Sequence, residues 1–123
     1  MSNPRRIIVA GSRTITGSDV FDIVFGYFTG SPRPTMVHGA CPDGVDACAA
    51  QLARTHNLKV EEHPADWSEH ERAAGPIRNQ QMVDSSDALV AIWDGKSRGT
   101  KDIIQKAIKA GLEVHIHQIR NRR

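Results

Sequence analysis

Arg6-Ile7-Ile8-Val9-Ala10-Gly11-Ser12-Arg13-Thr14 decides the fold: a run with no alternating polar residue, closed by a turn of glycine, hydroxyls and a guanidinium. Unbroken β-rich runs are what strands buried on both faces require, and such strands build parallel sheets covered by helices. Ala88-Leu89-Val90-Ala91-Ile92-Trp93 is a second and more clearly buried run, followed by Gly95-Lys96-Ser97-Arg98-Gly99-Thr100. Between them, Thr35 to His38 leads into His38-Gly39-Ala40-Cys41-Pro42-Asp43-Gly44-Val45-Asp46, and a helix opens near Ala74-Gly75-Pro76-Ile77-Arg78-Asn79. Each junction carries glycines, hydroxyls, acids or arginines where an open α/β sheet binds its ligand, so the pattern points to a nucleotide-like molecule.

The segments between these runs read as helices. Ser18 is expected to cap the first, whose stripe is Val20, Ile23, Val24, Tyr27 and Phe28, before Gly30 to Pro34 breaks the period. Val45, Cys48, Ala49 and Leu52 form the second stripe, and Leu58 to Glu62 reads as a short third strand. His63 to Gly75 reads as the longest loop, irregular and polar. Pro76 belongs in the first turn of a third helix running to about Ser85. The last helix is expected from Gly99 or Thr100 to Ala110, with Ile103, Ile104, Ala107 and Ile108 as its stripe, Gly111 as terminator and Glu113 to His117 as the final strand. Five strands alternating with four helices give one α/β domain over residues 1–123, a Rossmann-like three-layer α/β/α sandwich with a mostly parallel five-stranded sheet and right-handed crossovers.

Composition narrows the function. A chain of 123 residues, 39% hydrophobic and 24% charged, is an ordinary globular domain able to bury one core without metal or disulfide. No apolar run approaches the roughly 20 residues of a membrane span, and no signal-peptide core follows Arg5 and Arg6, so a cytoplasmic location is expected. The formal net charge of +2 owes much to Arg5, Arg6, Arg122 and Arg123 at the ends. The body is then near neutral, which argues against nucleic acid as the partner. Cys41 and Cys48 lack metal-binding spacing, and His115 and His117 have no third ligand, so no metal or cofactor is expected.

Gly99-Thr100 opening a helix, with Ser97, is the strongest phosphate signal. The loop is not a Walker A motif, because its lysine is misplaced, and no GxGxxG is present. Gly11, Ser12 and Arg13 stand at the carboxyl end of a buried strand, beside the expected crevice. Arg78 and Asn79 occupy a first helical turn, where a cation opposes the dipole unless an anion sits nearby. Asp43 is expected to cap the second helix, whereas Asp46 is placed to accept from ribose hydroxyls. Trp67 and Trp93 each offer a ring to stack on a base; Trp93 ends a core strand, where packing is its alternative role, and Trp67 is the more interesting of the two for function.

At these residues the chain resembles the YspA-type branch of the SLOG superfamily, which includes the LOG phosphoribohydrolases and the Rossmann core of DprA. The likeness runs from Arg6 to about Ile116 through Gly11-Ser12-Arg13, His38 to Asp46, Ala65-Asp66-Trp67, Ala74 to Asn79 with Met82, and Trp93-Asp94-Gly95 with Ser97 to Thr100. The resemblance implies a ligand such as a nucleotide or an ADP-ribose relative, held by Gly11, Ser12, Arg13, His38, Gly39, Asp46, Trp67, Arg78, Asn79, Gly95, Ser97, Gly99 and Thr100. It also implies a homodimer, as in LOG relatives. LOG enzymes cleave an N-glycosidic bond with an arginine, which Arg78 echoes, and a glutamate three residues beyond the loop threonine, where this chain has Ile103. Cleavage here would fall to Asp46, Asp94 and Arg78, with Asp102 as the remaining carboxylate. Binding or sensing of the ligand ranks first, N-glycoside hydrolysis second and a DprA-like nucleic-acid module last.

Overall fold

The computed structural model describes residues 5–119. Its strands are β1 (Arg6–Gly11), β2 (Thr35–His38), β3 (Val60–Glu62), β4 (Ala88–Trp93) and β5 (Glu113–Gln118), in the order β3-β2-β1-β4-β5. Every neighbouring pair is parallel, so the sheet is wholly parallel, beyond the mostly parallel expectation. The helices are α1 (Ser18–Phe25), α2 (Gly44–His56), α3 (Trp67–His70), α4 (Ala74–Asp84) and α5 (Arg98–Lys109), with a 3₁₀ turn at Glu71–Ala73.

Strand periodicity creates the layers. Ile7 and Val9 of β1, with Ala88, Val90 and Ile92 of β4, face α1 and α2 and bury Val20, Val24, Val45 and Leu52. Ile8 and Ala10, with Leu89 and Ala91, face the opposite way onto Met82 and Val83 of α4 and Ile103, Ile104 and Ala107 of α5. Two apolar clusters on one sheet make the three-layer sandwich. Each fully buried Leu, Ile or Phe side chain contributes about 1.5–3 kcal/mol.

Several boundaries depart from the periodic reading. Gly17, not Ser18, is the N-cap of α1, and no side chain caps that end. The helix ends at Phe25, but i→i−3 bonds from Tyr27 to Val24 and from Phe28 to Phe25 keep helix-like spacing. Phe28 therefore still reaches the core, where it is fully buried. The stretch expected to be irregular contains α3 and the 3₁₀ turn, and α4 starts at Ala74, which puts Pro76 at its third residue. Arg98 begins α5 after Ser97 as N-cap, and Ile108 is 61% exposed although it sits on the expected stripe.

The chain leaves β1 toward β2 and β3, then crosses back to β4 and β5 on the other side. This reversal opens a crevice outside the carboxyl ends of β1 and β4.

Candidate functional site

A cleft of about 850 Å³ fills that crevice, walled by the loops after β1, β2, β3 and β4 and by the first turns of α2, α4 and α5. Helix starts expose N–H groups and a partial positive charge, so three of them around one hollow favour an anion.

The β1 loop is held close to α2. A Cβ on Gly11 would overlap the Ile92 carbonyl and the Val45 side chain, and one on Gly44, whose φ is +66°, would overlap the Arg13 backbone. Ser12 is buried and braces the rim: its N–H donates to the Ile92 carbonyl at 3.1 Å, its carbonyl accepts from Val45 N–H at 3.3 Å, and its Oγ accepts from Asp94 N–H at 3.2 Å. Arg13 is exposed, and its side chain has no hydrogen-bond or ion-pair partner among the described residues.

Gly39, Asp46 and Arg78 form the inner wall. Asp46 is 8% exposed and accepts from Cys41 N–H at 3.1 Å. Burial pushes its carboxyl above the usual range, opposed by the Cys41 N–H and by the charges of His38 and Arg78. His38 does not line the cleft as expected; it lies behind it, 2% exposed. Its Nδ1 accepts from Ala40 N–H at 3.0 Å, which leaves the proton of the neutral ring on Nε2. That atom has no hydrogen-bond partner among the described residues, and Glu62 Oε1 stands 3.9 Å away. Burial lowers the His38 pKa, against the pull of Asp46 and Glu62. Arg78 crosses this wall, donating from Nη1 to the Gly39 carbonyl at 2.8 Å and from Nε to Asn79 Oδ1 at 3.0 Å. Only glycine at position 39 leaves room, since a Cβ there would meet the guanidinium.

The α5 loop closes the other side. Asp94 Oδ1 accepts from the N–H groups of Lys96 and Ser97, both at 2.8 Å, and those two bonds hold its carboxyl below the usual range. Asp94 thus shapes the loop, a role unsuited to a proton donor near neutral pH. Gly95 supplies the turn with φ +84° and packs beside Gln118; contrary to expectation it does not line the cleft. Ser97 Oγ accepts from Thr100 Oγ1–H at 3.1 Å, and its carbonyl accepts from the Trp93 indole at 3.1 Å. The first-turn N–H groups of Arg98 and Gly99 are left without an acceptor among the described residues. Asp102 is occupied by Lys106 at 2.7 and 2.8 Å and by Asn79. Ile103, at the position of the LOG glutamate, is buried in the core.

Of the residues singled out by sequence, the cleft gathers Gly11, Ser12, Arg13, Gly39, Asp46, Trp67, Arg78, Asn79, Asp94, Ser97, Gly99 and Thr100. Asp43 is the N-cap of α2 by position, but its side chain caps nothing. Trp67 is half exposed, its ring 3.5 Å from where a Cβ on Gly75 would stand. Two lining arginines were not singled out: Arg72, in the 3₁₀ turn, and Arg98, the first residue of α5. The signal that marked Arg78, a cation in a first helical turn, was hidden at Arg98 because the last helix was expected to begin one or two residues later, at Gly99 or Thr100. Like Arg13, both side chains lack a hydrogen-bond or ion-pair partner among the described residues.

Among the described residues no helix is long and apolar enough to cross a membrane, and no cluster of side chains suits a metal ion. The gene 61 protein of Mycobacterium phage D29 is 34% identical over 118 aligned residues, which cover 89% of this chain and 94% of that protein. No solved structure gives a significant match. The sequence pattern of the YspA, cpYpsA-related SLOG family matches residues 5–70, the part that carries β1, β2, β3 and their rim loops. With that match and the cleft at the reversal of strand order, the chain belongs to the YspA, cpYpsA-related SLOG family.

Proposed function

We propose that this protein binds a nucleotide or nucleotide-derived small molecule of the ADP-ribose kind and holds it unchanged, as a sensing or sequestering domain. One observation carries the reading. Arg13, Arg72 and Arg98 border the cleft without partners among the described residues, while Asp46, Asp94 and Asp102 are already bonded within the protein. Such a rim is short of anions, and phosphate supplies them. In this reading the first turn of α5 takes a phosphate, Asp46 meets the ribose and Trp67 stacks on the base.

The runner-up is N-glycoside hydrolysis. Its support is Asp46, a buried carboxyl with a raised pKa beside Arg78, the environment a general acid needs. Against it stand the buried Ile103 and the committed oxygens of Asp94 and Asp102. An NMR time course with AMP and with ADP-ribose separates the two. Line broadening with intact anomeric signals is expected; catalytic release of free base overturns the binding-only reading. A cytoplasmic homodimer completes the proposal, with exposed Ile108 and Ile116 as available apolar surface, and light scattering tests its mass.

A further inference from the structure

We infer that Asn79 is a positioning residue that ties the Arg78 guanidinium to the opening turn of α5, so that two anion-receiving groups on different helices act as one. The inference rests on the ligand reading above and assigns Asn79 a different task from ligand contact. Asn79 is 4% exposed, and its bonds leave its amide little capacity for a ligand. Its Oδ1 accepts from Arg78 Nε at 3.0 Å, and its Nδ2 donates to the Gly99 carbonyl at 3.2 Å and to Asp102 Oδ2 at 3.0 Å. The partners set the amide's orientation: flipping it would set its NH₂ against the Arg78 N–H and its oxygen against two acceptors.

The bonds continue in both directions. Arg78 Nη1 reaches the Gly39 carbonyl at 2.8 Å, so the guanidinium is held at two points and Nη2 remains for the cleft. Asp102 is balanced by Lys106, which keeps its charge from opposing an anion at the start of α5. A line of bonds thus runs from the loop after β2, across α4, to the first turn of α5. Asparagine suits the middle because it needs one acceptor and two donors at once; aspartate would place a second carboxylate against Asp102 and a carbonyl, with no hydrogen to offer either.

Asn79→Ala and Asn79→Asp in the full chain test this. In the ligand-free protein the Arg78 Nε–H should give a resolved, slowly exchanging NMR signal, assigned by its loss in Arg78→Lys and expected to broaden in Asn79→Ala. By calorimetry, Asn79→Ala should weaken AMP about tenfold while adenosine stays within about twofold, and Asn79→Asp should weaken AMP further. Parallel loss of AMP and adenosine affinity would indicate a merely structural residue and overturn the inference. Wild-type affinity for AMP in Asn79→Ala would overturn it alone. A wild type that binds neither AMP nor ADP-ribose would instead overturn the ligand reading, and with it the anion-receiving part of the inference.

Discussion

The two ends of the sheet treat arginine in opposite ways. At the amino ends of the strands, Arg5 pairs with Glu113 at 3.1 Å, and Arg6 bonds to Ser85 and Glu61, while its own N–H donates to Asp87 at 2.8 Å. At the carboxyl ends, Arg13, Arg72 and Arg98 have no partner among the described residues although four aspartates share the same cleft. Scarcity of acids does not explain the contrast. Three of those aspartates are engaged by backbone N–H groups, Asn79 or Lys106, so the rim keeps its positive side chains unneutralised. Unsatisfied cations in a concave site are an arrangement for a ligand, whereas the paired cations below hold the strand ends together.

Arg78→Ala strikes this contrast hardest. It removes a charged donor from the cleft and should weaken AMP or ADP-ribose about 10- to 100-fold by calorimetry, on the order of 1.5–3 kcal/mol. Gly39→Ala comes next, because the added methyl displaces only the end of the Arg78 side chain. Affinity should fall about tenfold with little change in Tm, which would place the loss in guanidinium position and not in folding. Arg72→Ala and Arg98→Ala should each cost about three- to tenfold, more at low salt than at high salt, while Arg5→Ala leaves binding unchanged. Equal effects at both ends of the sheet would erase the distinction.

The smallest expected effect concerns Asp46. Burial raises its pKa in the folded state, so its ionised form weakens the fold at neutral pH, and that penalty disappears as pH falls through the folded pKa. Asp46→Asn retains an oxygen for the Cys41 N–H and should raise Tm by a few degrees at neutral pH. The gain should shrink on acidification. A gain that persists in acid would mean the aspartate charge is not its source.

Strands were the most legible part of the sequence, because Ile7 to Ala10 and Ala88 to Ile92 are buried on both faces and leave no room for polar residues. Their carboxyl-end loops followed from the order of elements, and so did most of the cleft. Helix α3 escaped because none of its residues is buried, so no apolar period marks it. His38 was misplaced for a different reason. Its position at the end of β2 says nothing about which side of the wall its ring takes; the ring is buried and does not line the cleft. Gly95, which the resemblance implied to be a ligand-binding residue, makes a positive-φ turn against Gln118. The bracket through Asn79 depends on three partners 1, 20 and 23 residues away, a convergence that neither spacing nor composition encodes.

The bond from the Trp93 indole to the Ser97 carbonyl carries a practical consequence. Half-buried Trp93 is anchored in the scaffold, while half-exposed Trp67 stands in the cleft wall, and the sequence contains no other tryptophan. The molecule therefore holds its own pair of fluorophores: one open to a soluble quencher, the other a more shielded internal reference for the same emission.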